Sequence, residues 1–388
     1  MTEQNKLVVY VGPFGFPKGG AAAKRIYGNC VTLSQQGYKV KVVSGQVPPD
    51  GIVESNYKNI PVISLSERLY EKLPRFLKHF LYFSAGKKAV QWLDSLDKKP
   101  RAIILYSGYS PYLLRLIPWA KKNNVKLIFD TVEWYDPPSL ISRFFSPYYL
   151  NIELAMRFLL KKCDGLIVIS SYLENYYKEK VKDLVVIPPT VDCSQIESRI
   201  ALHECDTVKF VYAGSPGKKD ALSSIISAII SVASSGYRVQ LNIAGVTEKN
   251  LKDYIPNVKI DNLGEIIKCY GLVSAESAAD LVKDSDFSII IRPDIRSVQA
   301  GFPTKFVESL SVGTPVIANL TSDLGVYLKH GINGYICKDD SIESLVDVLI
   351  SSINNNDLYT MRINARETAE KYFDVSGYLA HMKRIIES

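Results

Sequence analysis

Several features are missing from this sequence, and each absence argues against a class of protein. No apolar run approaches the roughly 18 residues that a membrane-spanning helix needs. The opening residues, MTEQNKLVVYVG, pass directly into a strand-like run without the layout of a signal peptide. Neither a low-complexity tract nor a short-period repeat is present. We therefore expect a globular, cytoplasmic protein.

Cysteine and histidine are scarce and scattered. The chain has 6 Cys and 4 His residues, with no C-x-x-C pair and no spacing typical of zinc ligands. We expect the cysteines to be buried, reduced thiols, and these residues predict no metal site.

Negative charge is scarce in the first half of the chain. Residues 1–188 contain 27 Lys and Arg residues against 15 Asp and Glu residues, a balance of +12, within a total of +7. The remaining residues contain 20 against 25, a balance of −5. The two halves are therefore expected to have different partners. A basic half suits a membrane surface or nucleic acid, but no nucleic-acid-binding motif is present.

The length of 388 residues exceeds what one hydrophobic core usually supports. Short β-branched runs such as KLVVYVG and VKFVYAG alternate with amphipathic stretches in both halves, which is typical of parallel sheets covered by helices. The polar stretch PPTVDCSQIESRIALHECDT separates the halves. We predict Rossmann-like domains at residues 1–200 and 201–370, with a C-terminal helix at 371–388 that crosses back to the first domain.

Two loops in the second half suit phosphate binding. Residues 214–220, GSPGKKD, follow a strand and combine two glycines with two lysines, which suits a diphosphate. They are not a Walker A loop, because Gly217-Lys218 is followed by lysine. In residues 301–308, GFPTKFVE, Lys305 and Glu308 share one helix face. An ordinary solvated turn and a capped helix with an ion pair are the alternatives.

Residues 287–319, with AGFPTKFVESLSVGTPVIAN at their centre, resemble the donor-site motif of glycosyltransferase family 4, the retaining GT-B enzymes that use nucleotide sugars. The segments YAGSPGKKD, YGLVSAESAADLVKDSDFSIII, FPTKFVESLSVGTPVIA and HGINGYI follow one another in the order typical of that family. The resemblance implies an α/β fold of the GT-B type, with two Rossmann-like domains facing each other across a cleft. It also implies that no metal or other cofactor is needed.

The resemblance assigns roles within the second half. Glu308 is expected to bind the ribose and Lys219 the diphosphate, with uridine as the favoured base. The first glutamate of the family's E-x7-E pattern falls at Ala300, so main-chain groups of residues 300–302 are expected to contact the sugar. The predicted donor site comprises Gly19, Gly20, Gly214, Ser215, Gly217, Lys219, Tyr270, Leu272, Arg292, Ala300, Gly301, Phe302, Pro303, Thr304, Lys305 and Glu308.

The loop at residues 12–25, GPFGFPKGGAAAKR, lacks G-x-G-x-x-G, which argues against an NAD enzyme. The resemblance places its glycines, Gly19 and Gly20, beside the donor. Lys24 and Arg25 are assigned to the acceptor, with a solvent-facing position as the alternative.

Carboxylates and aromatic rings cluster where the strand VKLIFD ends. A carboxylate can accept hydrogen bonds from sugar hydroxyls, and Trp134 or Tyr135 can stack on a pyranose ring of the acceptor. We predict Asp130, Glu133 and Lys219 as catalytic residues, although Asp130 alternatively caps the following turn. The resemblance implies retention of configuration by front-face attack. The leaving diphosphate then helps to deprotonate the acceptor, so a protein base is not required.

Two further patterns concern metals and membranes. Asp284-Ser285-Asp286 spells D-x-D, the metal motif of the other main glycosyltransferase fold, but it lies between a helical stretch and a strand, so no metal is predicted there. Residues 73–83, LPRFLKHFLYF, form a basic amphipathic pattern that suits either an anionic membrane surface or a core helix. The basic first half favours the membrane surface.

The sequence therefore predicts a retaining, metal-independent hexosyltransferase of cell-surface glycan synthesis. Its expected partners are a nucleotide-sugar donor, a lipid-diphosphate-linked or polysaccharide acceptor and the inner face of the cytoplasmic membrane, but no nucleic acid. A non-catalytic nucleotide-sugar-binding partner of another transferase, and a GT-B epimerase or phosphorylase, are the alternatives.

Overall fold

The computed structural model describes residues 6–48, 51, 53–68, 83–137, 139–200, 206–217, 219–255 and 263–388. The chain divides into two compact units. Unit 1 comprises Met1–Thr190 and Val375–Ser388, and unit 2 comprises Val191–Asp374. Lys218, and all of the predicted membrane segment 73–83 except Phe83, lie outside the described residues.

Unit 1 is built on an eight-stranded sheet in the order β3-β4-β2-β1-β5-β6-β7-β8, in which β3 alone runs antiparallel to its neighbour. All five residues of the central strand AIILY are buried, as expected of a parallel sheet covered on both faces. The strands are β1 (Leu7–Gly12), β2 (Lys39–Ser44), β3 (Glu54–Tyr57), β4 (Ile60–Ser64), β5 (Ala102–Tyr106), β6 (Lys126–Thr131), β7 (Gly165–Val168) and β8 (Leu184–Val186).

Helices connect these strands. Those that the structure describes before the second unit are α1 (Gly20–Gln35), α2 (Lys87–Asp94), α3 (Tyr109–Asn123), α4 (Leu140–Phe145), α5 (Pro147–Leu154) and α6 (Ser171–Tyr177). Helix α5 continues into a π-helical turn, Ala155–Leu159, and a 3₁₀ turn, Leu160–Lys162.

Unit 2 is built on a six-stranded, wholly parallel sheet in the order β11-β10-β9-β12-β13-β14. Its strands are β9 (Val208–Ala213), β10 (Val239–Ala244), β11 (Ile267–Gly271), β12 (Phe287–Ile290), β13 (Val316–Asn319) and β14 (Gly334–Cys337). Its described helices are α7 (Leu222–Ser234), α8 (Glu248–Leu251), α9 (Ala275–Lys283), α10 (Arg296–Ala300), α11 (Thr304–Ser311), α12 (Leu324–Tyr327), α13 (Ile342–Ile353) and α14 (Leu358–Phe373).

In each sheet the chain adds strands first on one side and then on the other. The change of side places β1 beside β5 in unit 1 and β9 beside β12 in unit 2. Ligands of such sheets bind where the loops diverge beyond the carboxyl ends of these two strands. The structure confirms the two predicted Rossmann-like domains. The strand order identifies the loops after β1 and β5, and after β9 and β12, as the candidate ligand sites.

The polar stretch after residue 190 packs on unit 2, so the division lies at residues 190–191 rather than at residue 200. Arg366 donates hydrogen bonds to the carbonyl groups of Cys193 at 2.8 Å and Ile196 at 3.2 Å. The backbone N–H of Arg199 donates to the carbonyl of Val312 at 3.0 Å. Composition shows that this stretch is polar, but it does not show which unit satisfies its backbone.

The C-terminal segment belongs to unit 1 from Val375 onward, because α14 extends to Phe373. A 3₁₀ turn, Val375–Tyr378, leads into α15 (Leu379–Glu387). The apolar face of α15, which comprises Met382, Ile385 and Ile386, is buried in the core that also contains Ile26 of α1. The approach is close: a Cβ added to Gly165 would lie 2.6 Å from Ile385 Cδ1.

Candidate functional site

The switch point of unit 2 brings together the two loops that were predicted to bind phosphate. Lys305 of α11 lies against Gly214, where β9 ends: a Cβ added to Gly214 would lie 2.6 Å from Lys305 Cε and 3.0 Å from its Nζ. Lys305 Nζ also lies 4.0 Å from the centre of the Tyr212 ring. Glycine at position 214 therefore allows a cation on α11 to reach the loop after β9.

The ammonium group of Lys305 lies in a half-buried setting of mixed charge. Its Nζ is 3.4 Å from Asp220 Oδ1. Burial lowers the pKa of Lys305, the Asp220 carboxylate opposes that change, and the positive charge of Arg292 adds to it. A bound diphosphate would offset the repulsion between these two cations and favour the charged amine.

Asp220 also shapes the loop from which it extends. Its Oδ2 atom accepts a hydrogen bond from the backbone N–H of Gly217 at 3.1 Å, which folds residues 214–220 back on themselves. Within this loop Ser215 and Gly217 are exposed and Lys219 is half-buried. The loop therefore presents polar groups at the carboxyl end of β9.

Helix α11 begins at Thr304, with Pro303 as the N-cap residue and no side chain capping the helix. The Phe306 N–H donates to the Pro303 carbonyl at 3.0 Å. The first N–H groups of a helix otherwise lack acceptors within the helix, so this end suits an anion. Glu308 lies one turn later, is half-buried, and opposes the lowering of the Lys305 pKa. Its carboxylate can accept hydrogen bonds from two neighbouring ribose hydroxyls.

The segment before α11 is deeply buried. Ala300 is fully buried, and the Gly301 carbonyl accepts a hydrogen bond from the Ser322 hydroxyl. Phe302 packs in an aromatic cluster with ring centres 5.8–6.1 Å away, formed with Phe306, Tyr327 and Phe373. The side chains of Ala300 and Phe302 therefore anchor the start of α11 in the core, and contact between main-chain groups of residues 300–302 and the sugar stays a prediction.

Tyr270 and Leu272 of the predicted donor site lie at the end of β11, where several neighbouring groups already form other hydrogen bonds. Both backbone hydrogen-bonding groups of Gly271 engage residues 245–246, at 2.9 Å for its N–H and 2.7 Å for its carbonyl. The Tyr270 hydroxyl donates to Asn242 Oδ1 at 3.2 Å. Leu272 is 86% exposed, so it offers an apolar surface that a base can contact.

At the switch point of unit 1, α1 begins at Gly20 after Gly19 as the N-cap residue, without a side-chain cap. A Cβ on Gly19 would lie 2.0 Å from the Gly15 carbonyl oxygen, and Gly20 has a φ of +61°. The turn therefore needs glycine for its own geometry. Lys24 is exposed on the first turns of the helix.

Arg25 and Asp130 form a buried ion pair in the core of unit 1. Arg25 Nη2 lies 2.7 Å from Asp130 Oδ1, and the two side chains are 2% and 0% exposed. Arg25 also donates to the Ile187 carbonyl at 2.9 Å, and Tyr10 and Asn29 donate to Asp130. The enclosed guanidinium of Arg25 is used within unit 1, so we correct its predicted acceptor-binding role to a structural one. Asp130 shares this structural role but also lines the cavity that Glu133 borders, and its predicted catalytic role stays a prediction.

Trp134 is also buried, at 2% exposure. Its Nε1 donates to Glu153 Oε1 at 2.8 Å, and the guanidinium carbon of Arg157 lies 5.1 Å from the centre of the indole ring. Its indole therefore packs within unit 1 and does not offer a face to a sugar, which corrects its predicted stacking role.

Glu133 and Tyr135 remain half-buried at the edge of a cavity of about 40 Å³ beyond the ends of β5 and β6. Burial and the Glu133 carboxylate raise the pKa of Tyr135. Two non-glycine residues that line this cavity, Ser107 and Tyr109, have φ angles of +60° and +38°. Such strained backbone is concentrated at functional sites. Glu133 is therefore a carboxylate of this loop that borders the cavity and retains access to a ligand.

The D-x-D motif has structural partners. Asp286 Oδ1 lies 3.2 Å from Arg362 Nη2, and Asp284 pairs with Arg199. Throughout the part of the chain that the structure describes, no group of three or more His, Cys, Asp and Glu side chains is arranged to hold a metal ion.

Two family profiles match this chain in succession. Residues 22–195 match the profile described as Glycosyltransferase Family 4, and residues 195–371 match the profile described as Glycosyl transferases group 1. The chain belongs to the family 4-like glycosyltransferases. The two profiles meet at residue 195, close to the division between the units.

Curated relatives of this glycosyltransferase are distant. An uncharacterized glycosyltransferase of Methanocaldococcus jannaschii is 24% identical over 243 residues, which are 60% of this chain and 60% of the relative. An uncharacterized glycosyltransferase of Haemophilus influenzae is 27% identical over 164 residues, which are 39% of this chain and 45% of the relative. The matched part thus spans about half the length of these relatives.

Solved structures share the fold over almost the whole chain. A sucrose-phosphate synthase from Thermosynechococcus elongatus has a TM-score of 0.75 at 14% identity, covering 98% of this chain and 97% of its own. WaaG, a glycosyltransferase involved in lipopolysaccharide biosynthesis, has a TM-score of 0.68 at 14% identity, covering 98% and 100%. HepE from Anabaena, in complex with UDP and glucose, has a TM-score of 0.64 at 13% identity, covering 98% of both chains.

Two residues of this glycosyltransferase support the site although no role was predicted for them from the sequence. Asp220 positions Lys305 and the loop 214–220, as described above. Asn319, at the end of β13, accepts from the Arg292 backbone N–H at 2.9 Å and donates to its carbonyl at 2.7 Å. Each is a polar residue at or just beyond the end of a predicted strand in a parallel sheet, and that position is the signal that could have identified it.

Proposed function

We propose that this glycosyltransferase transfers a hexose from a nucleotide diphosphate sugar to a lipid-diphosphate-linked or polysaccharide acceptor of the cell surface. The observation that carries the proposal is the contact of Lys305 with Gly214 at the switch point of unit 2, one helical turn before Glu308. Two adjacent anion-suited loops fit a diphosphate, and a carboxylate at this distance fits the attached ribose.

UDP is the nucleotide that we propose for the donor. HepE, which shares the fold, has been solved in complex with UDP and with UDP-glucose. Leu272 offers a small exposed apolar surface, and both backbone groups of Gly271 are already hydrogen-bonded. This arrangement suits a base that is held mainly by contact with one of its faces. The fold does not specify which sugar is transferred, so transfer of a hexose belongs to the proposal.

The proposed reaction forms a bond between an acceptor oxygen and the anomeric carbon, with retention of configuration, and breaks the bond from that carbon to the diphosphate. Lys219, Arg292 and Lys305 would stabilise the charge that develops on the leaving diphosphate. These cations take the place that a metal has in other sites, so we propose a metal-independent reaction without a cofactor. The acceptor proton passes to the departing diphosphate or to Glu133.

The acceptor is proposed to bind at the carboxyl ends of the unit 1 strands. Glu133 and Tyr135 border a cavity there, and Lys24 is exposed on α1. All five described cysteines are free thiols, which supports a reducing compartment such as the cytoplasm. We further propose that the protein associates peripherally with the cytoplasmic membrane, where a lipid-linked acceptor is found.

Substitution of the donor-site residues tests the nucleotide assignment. Glu308→Ala and Lys219→Ala should each weaken UDP binding about tenfold or more, because each removes a charged partner of the nucleotide. Isothermal titration calorimetry measures the affinity. Glu343→Ala and Lys338→Ala remove exposed charges elsewhere in unit 2 and should leave the affinity unchanged. Wild-type affinity in both Glu308→Ala and Lys219→Ala would remove the assignment.

A non-catalytic, nucleotide-sugar-binding partner of another transferase is the second candidate function. It is favoured by one observation: buried Ala300 stands where the family carries a sugar-contacting glutamate. Incubation of the protein with a panel of nucleotide sugars and lipid-linked acceptor extracts, followed by mass spectrometry of the lipids, separates the two. Glycosylated lipid supports the transferase, whereas tight nucleotide binding without transfer from any donor supports the binding partner.

A further inference from the structure

Large apolar side chains are exposed along one short stretch of unit 1. Seven of the twenty large hydrophobic residues that are exposed in the described part of the chain lie between residues 141 and 158. Phe144, Phe145 and Phe158 are 65%, 78% and 60% exposed, which is unusual for phenylalanine in a globular unit. We call this set the apolar surface; it consists of Ile141, Phe144, Phe145, Tyr148, Leu150, Leu154 and Phe158.

The apolar surface is the outer side of helices whose inner side is already packed. Ile152, Ala155 and Met156 are buried on the inner side of the helical segment 147–162, which packs against α3. Leu150, Leu154 and Phe158 follow one another at intervals of four residues and therefore share the outer side. Helix α4, which carries the exposed Ile141, Phe144 and Phe145, packs against α5. The helices that carry these residues are therefore packed on another side, while the side chains of the apolar surface are open to solvent in the described part of the chain.

Positive charge accompanies the apolar surface. Arg157, Lys161 and Lys162 are exposed in the same helical segment, and Lys161 Nζ lies 5.9 Å from the centre of the Phe158 ring. Unit 1 as a whole carries an excess of basic residues, since residues 1–188 hold 27 Lys and Arg against 15 Asp and Glu. Aromatic side chains beside Lys and Arg suit the interface of an anionic bilayer, because the rings enter the acyl boundary while the cations reach the headgroups.

The apolar surface adjoins the candidate acceptor loop. Asn151 Oδ1 of α5 accepts a hydrogen bond from the backbone N–H of Ser110 at 2.9 Å, next to Tyr109, which lines the cavity that Glu133 and Tyr135 border. Helix α5, which carries part of the apolar surface, is therefore held next to that cavity. An acceptor held at the membrane by a lipid would therefore reach that cavity from this side.

We propose that the apolar surface of residues 141–158 docks on an anionic lipid bilayer and presents the Glu133 loop to the membrane. The segment lies outside residues 73–83, on which the sequence pattern had placed membrane contact. No described helix is long and apolar enough to cross a bilayer, so the contact is with the surface of the membrane. The purpose of the docking rests on the proposed lipid-linked acceptor, whereas the docking itself needs neither nucleotide nor sugar.

Vesicle flotation tests the docking directly. The purified full chain is mixed with vesicles of phosphatidylcholine alone or with added phosphatidylglycerol, without nucleotide, and the floating fraction is measured at low and high salt. We expect the wild type to float with the anionic vesicles, and the triple variant Phe144→Asp, Phe145→Asp, Phe158→Asp to bind them about tenfold or more weakly. The variant Lys161→Gln, Lys162→Gln should lose the salt-sensitive part of binding.

Matched controls separate docking from damage to the fold. Val326→Asp with Tyr359→Asp replaces exposed apolar residues of unit 2 and should float like the wild type. UDP affinity and the thermal midpoint should be unchanged in the triple variant, because the substituted side chains are exposed. A wild type that floats with neither vesicle, or a triple variant that floats like the wild type, overturns the proposal. Sedimentation that shows a dimer abolished by the triple variant, without flotation, would assign the surface to a second copy instead. Failure of UDP to bind would remove the proposed function and leave the flotation result standing.

Discussion

At the scale of single residues, the candidate donor site has glycine at a position where the Lys305 side chain of α11 lies within contact distance. Gly214 has a φ of +138° and faces Lys305, whereas Gly217, three residues later in the same loop, has no atom within 4 Å of an added Cβ. The two glycines therefore differ in what they do, although the sequence presents them alike. Only the first is needed for the approach of the cation.

The pair of glycines provides a prediction with an internal control. Gly214→Ala should displace Lys305, strain the backbone and weaken UDP binding about tenfold, with a loss of stability of about 1–3 kcal/mol. Gly217→Ala should change the affinity less than twofold, since its added methyl group meets open space. Calorimetric titration with UDP and denaturant unfolding measure the two effects. Equal affinities in the two variants would show that the Gly214–Lys305 contact is not part of the nucleotide site.

At the scale of elements, a buried charge network holds α1 against β6 beneath the candidate acceptor loop. Arg25 reaches both Asp130 on β6 and the carbonyl of Ile187 after β8, so one side chain of α1 joins elements distant in sequence. Burial of a charge is costly unless its partners are in place, and here four groups surround the Asp130–Arg25 pair. The network therefore positions the start of α1 and the end of β6 relative to each other.

Removal of one charge from this network should destabilise unit 1. Asp130→Ala leaves the Arg25 guanidinium buried without its carboxylate and should cost about 3–5 kcal/mol of unfolding free energy. The double variant Arg25→Met, Asp130→Leu should lose less than Asp130→Ala, because no charge remains buried. Urea unfolding monitored by circular dichroism checks the order. A double variant at least as unstable as the single one would show that the pair adds net stability beyond the cost of its own burial.

At the scale of the whole molecule, the chain consists of two units with separate cores, and the chain crosses between them twice. Unit 1 is completed by residues 375–388, whose apolar face enters a core built from residues of the N-terminal sheet. All residues assigned to the nucleotide, apart from the glycines at the start of α1, belong to unit 2. Damage to the C-terminal helix should therefore affect one unit more than the other.

Ile385→Asp tests this division of stability. The substitution places an unpaired charge in a fully buried position and should lower the unfolding free energy of unit 1 by more than about 3 kcal/mol. The transition of unit 2 should still rise in temperature when UDP is added, because the ligand stabilises the unit that binds it. Differential scanning calorimetry with and without UDP resolves the transitions, and Lys383→Ala, an exposed change on the same helix, is the control. Loss of the UDP-dependent shift in Ile385→Asp would contradict a nucleotide site contained in unit 2.

Local pattern determined much about this protein. The alternation of apolar strands with amphipathic helices predicts two α/β domains, because covered parallel sheets require that rhythm. The sequence also predicts anion-binding segments at the glycine–lysine loop 214–220 and at the helix start at residue 304, since each consists of neighbouring residues whose chemistry suits an anion. The structure confirms the two α/β domains and a helix that begins at Thr304, because these features depend on contacts within a few residues or on the order of strands along the chain. The binding of an anion by these segments stays a prediction.

Only the tertiary structure decided which polar and aromatic residues are accessible. Arg25 and Asp130 are 105 residues apart in sequence, and no local pattern shows that they meet in the core. The sequence predicts that Trp134 stacks on a sugar ring, whereas in the structure its indole N–H donates to Glu153 and the ring is buried. The exposure of seven large apolar side chains between Ile141 and Phe158 was likewise not predicted from the sequence. Burial is the sum of contacts from distant elements. The sequence by itself therefore predicts the fold and the candidate donor loops, while the packing within each unit's core decides which side chains can reach a ligand.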